Sequence, residues 1–168
     1  MNESDLQQLL SPVREIVQRA CAVIQEVRMG AVEGWLKGDE SPVTAADHAA
    51  DALLKEQLLG LEPVGWLSEE TADSPERFDH EALWVVDPLD GTKEFLEGIP
   101  EYTVAVALVR AGRPVLAMVQ NPANDDCFWA TCGGGAFRNG NPIAVRDGSR
   151  LLASRSEVKR GEFAPFVE

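Results

Sequence analysis

The chain has 168 residues, a formal net charge of −13 and 45% hydrophobic residues, enough to bury the core of one compact domain. The acidic excess argues against binding polymeric nucleic acid, because the sequence has no basic stripe to displace counterions. A phosphorylated small molecule is still compatible with this charge, since a bound metal ion could neutralise its phosphate.

The sequence also argues against a membrane or exported protein. The first five residues, Met-Asn-Glu-Ser-Asp, lack the basic start and apolar core of a signal peptide, and no apolar run is long enough to span a bilayer. We therefore expect a cytoplasmic protein with no membrane partner. Cysteine usage agrees, since the three cysteines form no close pair and indicate neither a disulfide framework nor a zinc site.

The first predicted element is a long amphipathic helix. Apolar side chains recur at helical spacing from Leu6 to Val27, which is typical of a helix that buries one face. Three glycines within residues 30–38 then open a loop that carries Trp35. The loop could act as a lid over a site or as a plain connector, and the sequence leaves both interpretations open.

A second helix is predicted to begin at Thr44. Thr44 is followed by Asp47 and then by apolar residues, the pattern of a near capping box. This helix is expected to run to about Leu59 and to stop at Gly60. Capping is the structural interpretation of Thr44 and Asp47. In the functional alternative, Asp47 also accepts a hydrogen bond from the Thr92 hydroxyl. The capping role and this second contact are compatible, because a carboxylate has two oxygens.

Acidic side chains follow the next two predicted strands. Val64–Ser68 is typical of a short strand and is followed by Glu69 and Glu70. Leu83–Val86 is typical of a buried strand and is predicted to end at Asp87. Because neighbouring strands of such a layer end on a common edge, where ligand sites form, we expect these acids to converge.

The turn predicted after the second of these strands offers several oxygen ligands. Asp87 and Asp90 stand three residues apart in a turn that Pro88 stiffens and Gly91 opens. Hard cations such as Mg²⁺ take oxygen ligands on a rigid frame and usually share them with a substrate phosphate. Glu69 and these two carboxylates would repel one another unless a cation lay between them. The alternatives are a surface Asp-Pro/Asp-Gly turn and a solvated acidic loop at Glu69.

The remainder of the chain is predicted to be mostly β. Tyr102–Val109, Pro114–Gln120 and Cys127–Thr131 form strands with hairpin-like links, and a further strand covers Ile143–Val145. The triple glycine at 133–135 is a hairpin turn rather than a phosphate loop, because no helix pattern follows it. The predicted fold class is therefore α+β, with two long helices packed on one face of a mostly antiparallel sheet.

Three segments carry a resemblance to a known family. Ser41–Asp47, Leu67–Glu70 and Trp84–Phe95 stand in the order and spacing of the inositol monophosphatase superfamily. The chain is most similar to the 3'(2'),5'-bisphosphate nucleotidase (CysQ-type) branch, because Lys93-Glu94-Phe95 follows the threonine where inositol phosphatases usually place a second threonine and then Asn-Phe.

The resemblance implies a Mg²⁺-dependent hydrolysis of phosphate monoesters. The substrate it implies is adenosine 3',5'-bisphosphate, converted to AMP. The alternatives are an inositol monophosphatase and a non-catalytic metal-binding fragment. The resemblance also assigns roles: metal ligands Glu69, Asp87, Asp90 and the Leu89 carbonyl; and catalytic residues Asp47, Thr92 and Glu69, with Asp47 and Thr92 activating the attacking water. We expect Gly91, Thr92 and Lys93 to bind substrate, and the backbone N–H groups of Gly91 and Thr92 would bind a phosphate oxygen if a helix begins there.

The resemblance further implies a division of the chain. Family members continue through a second domain, whose Trp-Asp-x-Ala-Ala-Gly-like motif completes the metal site, and no such motif follows Asp90. Leu151–Ser156 resembles the first strand of that second domain. We therefore expect a metal-binding amino-terminal domain over 1–148 and, over 149–168, the first strand and tail of the second domain. The sequence leaves open whether the protein forms a homodimer.

Overall fold

The computed structural model describes residues 3–29, 34–36, 42–146, 148 and 153–163. The helices are α1 (Glu3–Met29), α2 (Ala45–Leu61), α3 (Thr92–Leu96) and α4 (Arg155–Lys159), with a 3₁₀ helix at Pro75–Asp79. The strands are β1 (Gly34–Leu36), β2 (Pro42–Thr44), β3 (Gly65–Ser68), β4 (Ala82–Asp90), β5 (Thr103–Arg110), β6 (Arg113–Gln120), β7 (Cys127–Thr131), β8 (Gly135–Arg138) and β9 (Asn141–Ile143).

Strands β3 to β9 form one seven-stranded sheet in sequence order. Only its first pair is parallel: β3 lies beside β4 with Ser68 opposite Val86, and each later neighbour is antiparallel. A parallel pair needs a crossover connection, here the segment with the 3₁₀ helix. Because β3 and β4 run in the same direction, the residues after Ser68 and Val86 lie at the same edge of the sheet.

The core lies between the sheet and the two long helices. Helix α1 packs on α2 and on β5 to β7, and α2 packs on β3 and β4. Burial alternates along β4 and β5, so that Trp84 and Val106 are buried while their neighbours in the chain are half-buried. This is the pattern of a sheet with one face packed on a core. The α+β prediction, with two long helices on a mostly antiparallel sheet, is confirmed.

The predicted loop after α1 contains a strand. Gly34–Leu36 forms β1 and pairs antiparallel with β2, with Trp35 opposite Val43. The glycines of this segment made the strand hard to predict from the sequence, because glycine weakens a strand. Residues 30–33 and 37–41 lie outside the described residues, and the choice between lid and connector stays open.

Helix α2 does not stop at Gly60. The helix continues to Leu61, and the Glu62 N–H still donates to the Leu58 carbonyl at 2.9 Å. A glycine at an exposed helical position costs only about 1 kcal/mol relative to alanine, so the packing of the helix overrides it.

Strand β4 extends beyond the predicted end at Val86 and reaches Asp90. Asp87 faces Ala105 and Asp90 faces Thr103, so the register shifts between the two aspartates. One extra residue on β4 makes this a β-bulge, a site where Pro88 is tolerated although it has no N–H to donate. The two aspartates therefore lie on either side of a bulge rather than in a free turn.

The end of the chain also departs from the sequence prediction. Strand β9 ends at Ile143, so Ala144 and Val145 do not extend it. Arg155 and Ser156, predicted to end a strand, lie in helix α4, whose start is capped because the Glu157 N–H donates to Ser154 Oγ and the Ser154 N–H donates to the Glu157 carboxylate. Residues 151 and 152 lie outside the described residues, and the domain boundary stays a prediction.

Candidate active site

The start of helix α2 buries a carboxylate. Asp47 is 1% exposed, and its Oδ2 accepts hydrogen bonds from the Thr44 N–H at 2.8 Å and from the Thr44 hydroxyl at 2.6 Å. The Ala46 N–H in turn donates to Thr44 Oγ1 at 3.1 Å. The capping box predicted from the sequence is thus complete. One Asp47 oxygen is used in capping, and the other is left to face a different element.

That second oxygen meets Thr92. The Thr92 Oγ1 lies 2.9 Å from Asp47 Oδ1 and 3.0 Å from the Leu89 carbonyl oxygen, so its single proton can be donated to either acceptor. The hydrogen bond expected between Asp47 and Thr92 is therefore present. It joins the start of α2 to the end of the β4 bulge across 45 residues of chain.

Gly91 fixes the position of Thr92. Its φ of 90° lies in the left-handed region, and a Cβ added there would come within 2.7 Å of the Glu101 carbonyl oxygen. The Phe95 N–H donates to the Gly91 carbonyl at 2.9 Å, which begins helix α3 directly after the bulge. Only glycine combines this backbone conformation with so close an approach to a neighbouring chain.

The parallel pair brings Glu69 to Asp87. The Glu69 N–H donates to the Val86 carbonyl at 3.3 Å, so the chain after β3 is still hydrogen-bonded to β4 at the residue just before Asp87. Glu69 is exposed, Asp87 is partly buried and Asp90 is exposed. The three acids thus come from two strand ends at one edge of the sheet.

Electrostatics show that these acids interact. The pKa of Asp87 is raised from 3.8 to about 7, first by burial and then by the negative charges of Glu69 and Asp90. A hydrogen bond between the Asp87 and Glu69 side chains raises it further, whereas the Leu89 N–H, 3.2 Å from Asp87 Oδ1, acts in the opposite direction. Asp87 is consequently a carboxyl group that is costly to ionise unless a cation compensates it.

The donor set fits a hard divalent cation. Three carboxylates and the Leu89 carbonyl are oxygen ligands of the kind that Mg²⁺ and Ca²⁺ take, and the site draws on neither cysteine nor histidine. Within the described parts of the chain, no group of three or more His, Cys, Asp or Glu side chains is already arranged to hold a metal ion.

The predicted phosphate contacts are only partly brought together. A cleft of about 410 Å³ opens beside Asp90 and Gly91, with Glu94, Glu101 and Arg155 also in its lining. Lys93 is exposed on α3 and does not line this cleft. Arg155 forms an ion pair with Glu101 at the cleft's rim. The roles of Gly91, Thr92 and Lys93 toward a phosphate therefore stay predictions.

One buried acid near this edge escaped the sequence analysis. Asp51 is 8% exposed and accepts hydrogen bonds from the hydroxyls of Ser68 and Thr71, on either side of Glu69. Its signal was its position four residues after Asp47, which places both on one face of α2. What that face would meet could not be predicted, because the partners lie 17 and 20 residues away.

The cysteines differ in their exposure to solvent. All three are free thiols, with Cys21 and Cys127 buried and Cys132 exposed. Burial, followed by the nearby Cys127, raises the pKa of Cys21 to about 12. A thiol held so firmly in its neutral form is a packing group rather than a nucleophile.

A known protein family matches nearly the whole chain. The model of the inositol monophosphatase family matches residues 5–163. An inositol-1-monophosphatase of Rhizobium meliloti is 41% identical over 127 residues, covering 75% of this chain and 47% of the relative. The 3'(2'),5'-bisphosphate nucleotidase CysQ of Salmonella typhimurium is 41% identical over 129 residues, covering 74% of this chain and 52% of the relative. The chain therefore spans about half the length of the curated relatives it matches.

Solved structures give the same result. The extragenic suppressor protein SuhB of Bartonella henselae superposes with a TM-score of 0.78 at 31% identity, over 86% of this chain and 57% of that one. An IMPase/NADP phosphatase solved in complex with Mg²⁺ and phosphate has a TM-score of 0.75 at 25% identity, over 82% and 53% of the two chains. Within the described residues, no helix is both long and apolar enough to cross a membrane. The chain belongs to the inositol monophosphatase family.

Proposed function

We propose that this chain carries the metal-binding half of a Mg²⁺-dependent phosphate monoester hydrolase. The observation that supports this most is the hydrogen bond from the Glu69 N–H to the Val86 carbonyl, which keeps Glu69 beside the residue just before Asp87. The raised pKa of Asp87, caused by burial and then by the charges of Glu69 and Asp90, agrees with acids that lie near one another. The relatives' names, an inositol-1-monophosphatase and a bisphosphate nucleotidase, describe enzymes that act on phosphorylated small molecules. The proposed ligands are Glu69, Asp87, Asp90 and the Leu89 carbonyl.

The chain's own residues have distinct tasks in this proposal. Bound Mg²⁺ would neutralise the phosphate and lower the pKa of a water molecule. Asp47 accepts a hydrogen bond from the Thr92 hydroxyl, so that a lone pair of the Thr92 oxygen can accept a hydrogen bond from the attacking water and align it. The Gly91 backbone conformation keeps Thr92 at that place. Little more than positioning and charge neutralisation is needed for phosphoryl transfer.

For the substrate we propose a 3'(2'),5'-bisphosphate nucleotide. Support comes from Lys93-Glu94-Phe95, which resembles the nucleotidase branch, and from the CysQ relative. The inositol-1-monophosphatase relative is equally identical at 41%, so inositol 1-phosphate is the second candidate. Rates of phosphate release from adenosine 3',5'-bisphosphate and inositol 1-phosphate by the purified chain decide between them. Faster release from the inositol ester would overturn the nucleotide assignment.

A non-catalytic metal-binding module is the other candidate. It requires only the acids that raise the pKa of Asp87, since these would bind a cation whether or not hydrolysis follows. Mg²⁺ binding without release of phosphate from either ester would support the module. Hydrolysis that disappears in Asp90→Asn would exclude it.

A further inference from the structure

Asp51 closes the turn that carries Glu69. Its Oδ1 accepts the Ser68 hydroxyl at 2.5 Å, and its Oδ2 accepts the Thr71 hydroxyl at 2.7 Å. Ser68 and Thr71 stand at the two ends of the turn, with Glu69 between them. One carboxylate on helix α2 therefore holds both ends of a turn that belongs to the sheet.

Two weaker bonds complete the turn. Ser68 Oγ accepts the Glu70 N–H at 3.3 Å, and the Glu69 N–H donates to Val86 at the same distance. Glu69 itself is exposed, so burial of its own side chain cannot fix its direction. The short hydrogen bonds to Asp51 are charge-assisted, and bonds of this kind are roughly twice as strong as neutral ones.

Helix α2 contacts both Thr92 and the turn that carries Glu69. Asp47 and Asp51 lie one helical turn apart on the same face; Asp47 reaches Thr92, while Asp51 reaches Ser68 and Thr71. A helix is stiff over this distance, so the spacing between the Glu69 turn and Thr92 is set by two side chains of one element.

We propose that Asp51 is a positioning residue that holds the Glu69 carboxylate toward Asp87 and thereby sets the affinity of the site for a divalent cation. The inference rests on the proposed function, which makes Glu69 a metal ligand. Because both Asp51 oxygens accept hydrogen bonds from Ser68 and Thr71, Asp51 acts through these two residues rather than as a ligand. Partners that orient ligands in this indirect way typically contribute about 10- to 100-fold in metal affinity.

A purely structural role for Asp51 predicts different behaviour. A buried carboxylate that only satisfied two hydroxyls would affect stability, but its loss would leave the Mg²⁺ affinity of the folded protein unchanged. The test therefore measures affinity under conditions in which every variant is folded, as verified by circular dichroism.

The experiment uses isosteric changes in the 168-residue chain. Asp51→Asn keeps one acceptor oxygen and loses the other, and Thr71→Val removes one hydroxyl. Their matched controls are Glu56→Gln, which removes one charge from the exposed side of the same helix, and Thr71→Ser, which keeps the hydroxyl. Mg²⁺ affinity is measured by calorimetry, and exchange of the amide hydrogens of residues 69–71 is measured without metal.

We expect Asp51→Asn and Thr71→Val each to weaken Mg²⁺ binding about tenfold, with less than additive loss when combined. Faster amide exchange at residues 69–71 should accompany the loss, whereas Glu56→Gln and Thr71→Ser stay within about twofold of the unchanged chain. Unchanged affinity in Asp51→Asn, with normal binding by the unchanged chain, would overturn the inference.

Failure of the proposed function gives a different result. If the unchanged chain binds no Mg²⁺, the metal site itself is wrong, and the inference about affinity falls with it. Amide exchange then tells whether Asp51 still holds the turn. Faster exchange in Asp51→Asn would show that Asp51 stabilises the turn but has no role in metal binding. Unchanged exchange would show that Asp51 does not stabilise the turn either.

Discussion

The two ends of the sheet place aspartates in opposite surroundings. At the β3–β4 end, Asp87 is surrounded by other acids, and its pKa is raised to about 7. At the β7–β9 end, Asp126 accepts hydrogen bonds from Arg138 and Asn139, which hold its pKa below the ordinary value. The same residue type is thus an uncompensated site acid at one end and a paired surface acid at the other.

Topology explains the difference. The strands β7 to β9 are joined by tight hairpins, so residues that face one another are close in sequence, and Asp126 pairs with Arg138 only 12 residues away. The parallel β3–β4 pair brings together residues that the chain separates by a crossover. Acids can accumulate there because Glu69 and Asp87 belong to different segments, and a cation can then compensate them jointly.

The largest expected effect on stability is that of replacing Gly91, compared with replacing Gly140, which has a similar backbone conformation. Gly91 and Gly140 have φ values of 90° and 82°, but a Cβ at Gly91 would lie 2.7 Å from a backbone oxygen, whereas nothing lies within 4 Å at Gly140. Gly91→Ala should lower the free energy of unfolding by about 3 kcal/mol, and Gly140→Ala by about 1 kcal/mol. Urea unfolding monitored by circular dichroism measures both. Equal losses would show that no close contact surrounds Gly91.

The next effect concerns metal affinity. Asp90→Asn should weaken Mg²⁺ binding by about 100-fold, because it removes a proposed ligand while keeping the side chain's shape. Asp126→Asn is the matched control, since it makes the same change at the other end of the sheet. Calorimetry on the folded chains measures both affinities. Similar losses in the two variants would mean that net charge rather than ligation governs binding.

The pH dependence of stability follows from Asp87. Its folded-state pKa lies near 7 and its ordinary value at 3.8, so between these values the folded protein binds more protons than the unfolded one. Without metal, the free energy of unfolding should therefore fall as pH rises from about 4 to 7, with a slope of at most about 1.4 kcal/mol for each pH unit. Asp87→Asn should flatten that fall. Urea unfolding at several pH values is the measurement, and a slope that is the same in both chains would remove Asp87 as its cause.

The smallest effect is expected at Asp126 itself. Its ion pair with Arg138 is exposed to solvent, and such pairs contribute little to stability and are screened by salt. Asp126→Asn should shift the melting temperature less than any variant above, with the shift shrinking further at about 1 M salt. Differential scanning fluorimetry at low and high salt measures it. A shift as large as that of Gly91→Ala would contradict the contrast between the two ends.

Local sequence patterns predicted most of the fold and the segments that carry the proposed ligands. The Thr44–Asp47 capping box and the apolar stripe of α1 were readable because their partners lie within one or two helical turns. The β4 bulge could not be predicted, because it depends on the register of β4 against β5. The role of Asp51 could not be predicted either, because its hydrogen-bond partners are distant in sequence. The capping pattern at Ser154 and Glu157 was present in the sequence but was overridden by the resemblance to a strand.

The most direct test follows the three acids during a Mg²⁺ titration. Carboxylate carbon shifts of Glu69, Asp87 and Asp90 in the NMR spectrum report on each side chain separately. All three shifts are expected to move together with one dissociation constant, while the shift of Asp126 stays unchanged. Movement of Asp126 with these acids unaffected, or no movement of any of the three, would contradict a cation site at the β3–β4 edge.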